Sequence, residues 1–370
     1  VGASAAAITV NNTDGTCTAN ITSVNGGQLG NRNLVINGKQ EVNQRNATVT
    51  SPGYVTDRWT FNETTDGAVS LSQVVDAPAG FYNSLKVDVT TADGSLAATQ
   101  NLHVFQNIEG TNIRHLNWGT ANAKTVTVSF YVKTTKTGVY SVVLENSGAD
   151  RCQVQDYTVS DTNWNRYSLT FTGDTSGTWL STNGVGIRLR FGLASGSTFT
   201  TGTTGSWLAD DMVGSTNMVN FMDNTSNDWY LTGCQLEVGS VATDFEHRSF
   251  GQELALCQRY YYRWTADATD AYAWMGMSYS TTTCFGIVQK LPVTMRATPT
   301  SSVVGTYTPF GSDGSSSGHD DFSSTTMNKN NKDQLGTNGW GGANGIQEGG
   351  RPVIVRASAT TDYIDASAEL

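Results

Sequence analysis

Between residues 31 and 248 apolar side chains recur at every second position, over and over. "KTVTVSFYVK" sets Val126, Val128, Phe130 and Val132 on one face and Thr125, Thr127, Ser129 and Tyr131 on the other. "GVGIRLRFGL" alternates Val185, Ile187, Leu189 and Phe191 with Arg188 and Arg190, and "WNRYSLTFTGDTSG" supplies Tyr167, Leu169 and Phe171 before a Gly-rich turn. "SLKVDVT", "GVYSVVLEN" and "DWYLTGCQLEVG" follow the same rule, each run bounded by Gly, Asn, Asp or Ser. Successive side chains of a strand point to opposite faces, so this period predicts half-buried antiparallel strands, and their number predicts two packed sheets. The expectation for 31–248 is a single jelly-roll-like β-sandwich in an all-β chain. In "YVTDRW" and the residues after it, Trp59 and Phe61 share one face, which is assigned to the core.

The period changes at "SFGQELALCQRYYYRW". Ser249 can cap a helix, Gln252 and Glu253 fall in its first turn, and Leu254, Leu256, Cys257, Tyr260 and Tyr261 form an apolar flank. A short connecting helix is therefore expected over 249–264. A helix of about three turns is too short to persist alone in water. It must pack on neighbouring domains or on symmetry-related copies of itself, with Leu254, Cys257, Tyr260, Tyr261 and Tyr262 forming the joint. Residues 265–370 return to β character as a small C-terminal β domain, interrupted over 310–350 by a polar, Gly-rich stretch that reads as a functional loop or a partner-held segment. A domain of that size buries little apolar surface, which favours oligomers. Residues 1–30 are small, polar and rich in Gly and Asn; they read as an N-terminal attachment arm.

Composition narrows the function. Lys and Arg total 22 against 32 Asp and Glu, for a net charge of −10. That balance repels phosphate backbones, and the chain offers no clustered basic patch, so nucleic acid is not an expected partner. Ser, Thr, Asn and Gly dominate the polar residues, as in extracellular or virion-type β proteins. No apolar run is long enough to span a bilayer, so no membrane insertion is expected. The five cysteines (Cys17, Cys152, Cys234, Cys257, Cys284) show neither a CxxC pair nor a Cys/His ligand spacing, and scattered buried thiols are expected.

Titratable groups are densest in "DFEHR", where Asp244, Glu246, His247 and Arg248 fall within five positions. As an active site it would use Glu246 as a base, or Asp244 and His247 as ligands. In a strand, however, only Asp244, Glu246 and Arg248 would share a face, and no second cluster completes a site. A salt-bridged exit from the sandwich accounts for the same residues. No GxSxG, HExxH or P-loop pattern is present, and the acidic pairs Asp210–Asp211 and Asp320–Asp321 lie in polar loops. No enzyme is expected, although a carboxylate pair drawn from separate loops stays open as a polysaccharide depolymerase. Trp118, Trp164, Trp179 and Trp207 each sit beside Gly, Asn, Ser or Thr rather than inside apolar runs. Aromatic faces stack on sugar rings, which makes these four the candidate glycan contacts; plugging the ends of the sandwich is the competing role.

Three stretches carry a resemblance. "NRNLVINGKQEVNQRN" with "YVTDRW" (31–59) is similar to the opening of the carbohydrate-binding-type jelly rolls of tailed-bacteriophage fibre proteins. "LTGCQLEVGSVATDFEHRSFGQELALCQRYYYRW" (231–264) resembles the closing strand and exit helix of that module. "LPVTMRATPT" (291–300), with the terminal "DASAEL", resembles the small C-terminal domain that follows it. The resemblance implies a virion protein of a tail or capsid fibre. It would be a homotrimer, joined to other virion proteins through residues 1–30, and a non-catalytic adhesin for host surface polysaccharide. A purely structural decoration protein without sugar binding is the alternative. No cofactor is required, but related modules hold a structural calcium through a Glu near their "NG" segment, which makes Glu41 the candidate metal ligand. Here Lys39-Gln40-Glu41 replaces the usual aromatic before that Glu, Asp244 stands where Pro is more usual, and Cys234 stands where an aliphatic is.

Overall fold

The computed structural model describes residues 30–280, 282–285, 288–310, 321–322, 325–337, 340–341 and 350–370, together with a two-residue pairing of Thr9–Val10 with Cys17–Thr18. Apart from that pairing, the N-terminal arm lies outside the described residues.

The sandwich is jelly-roll-like, as its alternation predicts. One sheet has seven strands in the order Trp207–Leu208, Cys152–Val159, Gly138–Glu145, Val185–Ser195, Asn101–Glu109, Trp59–Glu63 and Tyr54–Thr56. The other has five, in the order Asn165–Phe171, Val126–Thr134, Asp228–Val238, Ser84–Thr91 and Ala68–Val74. Inward-facing residues from both sheets form one core around the fully buried Trp59, Phe130, Phe191 and Trp229. Phe191 meets Trp59, Phe130 and Trp229 with ring centroids 6.1, 5.0 and 5.9 Å away. Burying such aromatics supplies most of the apolar driving force. The strand Val126–Thr134 departs from its half-buried expectation: Thr127 and Ser129 are buried as well. The chain leaving the closing strand folds over them, and Thr127 Oγ1 donates to the Gly239 carbonyl at 2.8 Å.

The opening segment is bolted to the closing strand. The Cys234 amide donates to the Gly38 carbonyl at 2.9 Å, and a β-carbon on Gly38 would stand 2.1 Å from the Cys234 oxygen, so only glycine permits the approach. "DFEHR" completes this attachment. Glu246 accepts the Arg32 and Asn33 amides at 3.1 and 3.0 Å, while Arg248 donates to the Val35 carbonyl and pairs with Glu253 at 3.4 Å. His247 packs its ring against Phe81 and Phe245. Glu246, His247 and Arg248 are all engaged at the sandwich exit, and the Asp244 backbone carbonyl accepts from Arg32 at 3.2 Å.

The helix is shorter than expected. It spans Phe250–Gln258 behind a capping box formed by Ser249 and Gln252, and Tyr261–Thr265 is a strand paired with Tyr363–Ser367. The expected helix over 249–264 is corrected on this point: aromatic residues favour a pleated surface, and here a partner strand is available to satisfy their backbone. That strand belongs to a three-stranded sheet with Thr300–Val304, facing a five-stranded one built on Ala271–Ser278 and Pro352–Ala357. Their core gathers Trp274, Tyr307, Val355 and Ile364. Phe322, Met327, Leu335 and Trp340 join it, so the polar 310–350 stretch contributes core material that its composition hid. The rest of that stretch is largely outside the described residues.

Cys257 and Tyr260 form a third small core with Ile36 and Val42 of the sandwich, flanked by Leu254 and Leu370. Tyr260 and Arg259 both bind the fully buried Glu109 carboxylate, at 2.7 Å each. The Arg58 guanidinium lies 3.7 Å from the Tyr260 ring and pairs with Glu369, and Arg45 sits 3.5 Å over the Tyr261 ring. Tyr262 turns the other way, packs on the C-terminal core and accepts from Gln289 at 3.3 Å. Cys152, Cys234, Cys257 and Cys284 are all buried free thiols.

Candidate functional site

The outer face of the seven-stranded sheet is where period two places the polar residues of its strands. Register lines them up in rows across the sheet. Asn62 lies opposite His103, which lies opposite Gly192 and then Ser141. Phe105 lies opposite Arg190, and Asn107 lies opposite Arg188 and then Glu145. One end of this face, at Asn107 and Glu109, is covered by Leu370, Arg259 and Tyr260 of the C-terminal part. The other end opens into a cleft of about 290 Å³ lined by Asn62, Asn101, His103, Phe105, Arg188 and Arg190. Phe199, Asp211 and Val213 wall it from the loop beyond the strand Val185–Ser195.

Glu145 anchors the electrostatics. Its side chain is fully buried, paired with Arg188 through Oε2 and with Arg190 at 2.9 Å; Arg190 in turn reaches Asp211 at 2.5 Å. Burial raises the Glu145 pKa, its two arginines pull it down, and nearby Asp211 raises it again, leaving it at about 7. Burial also works to raise Asp211, but its hydrogen bond with Glu145 and the Arg190 guanidinium hold it below the ordinary carboxylate range. The surroundings thus push the two carboxyls in opposite directions, Glu145 up and Asp211 down. Burial, aided by Arg190 and Arg188, holds His103 well below its usual pKa, so the ring is neutral. Its Nδ1 contacts Asn101 Oδ1 at 3.0 Å, and the ring lies 5.3 Å from Phe105. Arg190 Nε is buried without a hydrogen-bond partner. A cleft with fixed charges, amide groups and one aromatic wall is built to recognise a polar ligand carrying an apolar ring face.

Three of the four tryptophans come together elsewhere. Trp118, Trp179 and Trp207 pack edge to face with centroids 4.6 to 5.3 Å apart. Each indole N–H is used: Trp118 donates to the Lys124 carbonyl at 2.7 Å, Trp179 to Asp174 at 3.2 Å, and Trp207 to the Thr172 carbonyl at 2.9 Å. Trp118 is buried, whereas Trp179 and Trp207 keep part of their surface open. Trp164 is not in the cluster; it lies against Tyr230 and donates to Asp76 at 3.0 Å. Glu41 does not fit a calcium site, because Lys39 places its ammonium 2.7 Å from the carboxylate, where a cation would sit. Among the described residues no group of three or more His, Cys, Asp or Glu side chains is arranged to hold a metal ion.

Sequence reasoning passed over Arg188, Arg190, His103 and Phe105. The signal was present: charged residues alternating with large apolar ones on a strand must lie on its outer face. Their partners Glu145 and Asp211 are 43 and 21 residues away, so only the fold shows the pairing.

No known family model matches the chain, and no curated protein sequence matches it. Among solved structures it is similar to the enzymatically active domain of bacteriophage CBA120 tailspike protein 4, at 14% identity over 56% of this chain and 21% of that one, with a TM-score of 0.31. A CBM4 structure is similar at 16% identity over 55% of this chain and 97% of that one, with a TM-score of 0.31. The CBM22-1 xylan-binding domain from Paenibacillus barcinonensis is similar at 12% identity over 60% and 100% of the two chains, with a TM-score of 0.29. The chain thus aligns with about a fifth of the tailspike's length.

Proposed function

We propose that the sandwich binds glycans in the cleft on the outer face of its seven-stranded sheet, as the non-catalytic adhesin of a bacteriophage fibre. The observation that carries the reading is the cleft itself: Asn62, Asn101, His103, Arg188 and Arg190 supply oriented polar groups around the Phe105 ring. Sugars need both, since hydroxyls demand paired donors and acceptors while the C–H face of the ring demands an aromatic or apolar wall. Trp164, Trp179 and Trp207 offer further partly open aromatic surface, and Trp118 supports the last two from beneath.

Single-site sugar affinity is weak, so a homotrimer would gain by avidity. The exposed Tyr272 and Met275 (66 and 75% exposed) on the strand Ala271–Ser278 of the C-terminal domain, with Tyr279 (73% exposed) just beyond its end, supply apolar surface that assembly would cover. A glycan array probed with the full chain, its mass checked by light scattering at micromolar concentration, tests the reading. Binding to host-surface polysaccharide should fall at least about tenfold in Phe105→Ala, the loss of one stacking partner. A monomer would contradict the trimer. Absence of binding by a trimeric wild type would leave a purely structural fibre protein, the reading favoured by the pairing of Arg188 and Arg190 within the chain itself. Accumulating reducing ends would instead indicate a depolymerase.

A further inference from the structure

We propose that the cleft takes an acidic glycan, with a sugar carboxylate docking against Arg188 and Arg190. The inference rests on the reading of the cleft as a glycan site and specifies its ligand. The charged groups around Glu145 are Arg188 and Arg190 from the neighbouring strand and Asp211 from the walling loop. Cys152 on the strand beyond stays a neutral thiol, its pKa pushed up to about 12 by burial, and His103 is neutral. With Glu145 ionised, two guanidiniums face two carboxylates and the cleft is balanced. With Glu145 protonated and donating to Asp211, two guanidiniums face one carboxylate.

That leaves one positive charge uncompensated in a largely buried place, an arrangement that favours an incoming anion. The hydrogen-bonding inventory agrees. Arg190 Nε is buried with no acceptor, and the Arg188 side chain keeps 21% of its surface open at the cleft. A neutral sugar brings hydroxyls to such donors; a carboxylate brings two oxygens matched to a guanidinium fork. The net charge of −10 on the whole chain disfavours a dense polyanion and favours an isolated uronate within an otherwise neutral glycan.

Titration calorimetry with an aldotetrauronic acid and its carboxyl-reduced counterpart tests this at about pH 6 and about pH 8, both well above the ordinary range of a sugar carboxylate. The acidic probe should bind at least about tenfold tighter than the reduced one near pH 6, and that preference should shrink several-fold near pH 8 as Glu145 ionises. Glu145→Gln, which imitates the protonated form, should keep the low-pH preference at both values. Should Glu145→Gln fail to fold, Arg188→Gln, altering a more open side chain, should abolish the preference at both. Equal binding of the two probes near pH 6 would overturn the inference and leave the glycan site standing. A preference indifferent to pH would remove the role of Glu145. Binding of neither probe, with neutral glycans also failing on the array, would remove the glycan reading itself.

Discussion

Arg58→Ala should cost about 3–5 kcal/mol and release the C-terminal domain from the sandwich. The guanidinium is 1% exposed and meets three groups: Glu369 from the C-terminal segment, the Asn107 carbonyl of the sandwich sheet and the Tyr260 ring at 3.7 Å. Truncation leaves Glu369, itself 6% exposed, with Arg45 at 3.2 Å as its remaining partner, and opens a cavity beneath Tyr260. Removing one member of a buried pair costs far more than the pair contributes, because the survivor keeps its desolvation penalty. Arg58→Lys should rescue little, since an ammonium cannot reproduce the planar fork that spans Glu369 and Asn107. Denaturant unfolding followed separately through Trp264 and Trp274 of the C-terminal domain and through Trp59 and Trp229 of the sandwich checks this. Wild type should give one coincident transition and Arg58→Ala two, the C-terminal domain first. Coincident transitions in the variant would show that the third core alone couples the domains.

Arg190→Ala should destabilise the sandwich by about 3 kcal/mol near pH 8 and by clearly less near pH 5. The sign follows from Glu145, whose folded-state pKa stands at about 7, above its ordinary value of 4.5. A raised carboxylate contributes stability that is complete below the unfolded pKa and is lost as pH rises through the folded one, here across roughly pH 4.5 to 7. Asp57, raised by burial to about 6 despite Arg45, acts with the same sign in a lower window. Above that range Glu145 must ionise, and without Arg190 it does so with only Arg188 beside it. Adding Glu145→Gln to Arg190→Ala should restore most of the loss near pH 8, a coupling that a double-mutant cycle measures. Equal losses at both pH values would mean that Arg190 acts through packing rather than through the Glu145 charge.

Much of the sandwich was legible because its signal is local. Val126, Val128, Phe130 and Val132 alternate within one strand, and all four are buried in the core. Trp59 and Phe61 were legible on the same ground. What stayed hidden depends on pairing across distance. Tyr261–Thr265 carries an apolar flank that suits a helix, and only the partner strand some hundred residues later turns it into a sheet. Phe322 and Trp340 sit in a polar stretch too diluted by Gly and Ser to show their shared core. The cleft was hidden for the same reason: Arg188 and Arg190 gain meaning only when register sets them beside Glu145 and His103. Density of titratable groups pointed instead to "DFEHR", where charge is used to close the sandwich.

The central claim is that ligand enters the cleft on the seven-stranded sheet. Hydrogen exchange on the full chain, with and without a polysaccharide fragment selected on the array, tests it most directly. Slowed exchange should concentrate in residues 101–107, 186–192 and 209–213, which surround Phe105, Arg190 and Asp211. Protection confined to the segments bearing Trp164, Trp179 and Trp207, or to the C-terminal domain, would contradict it.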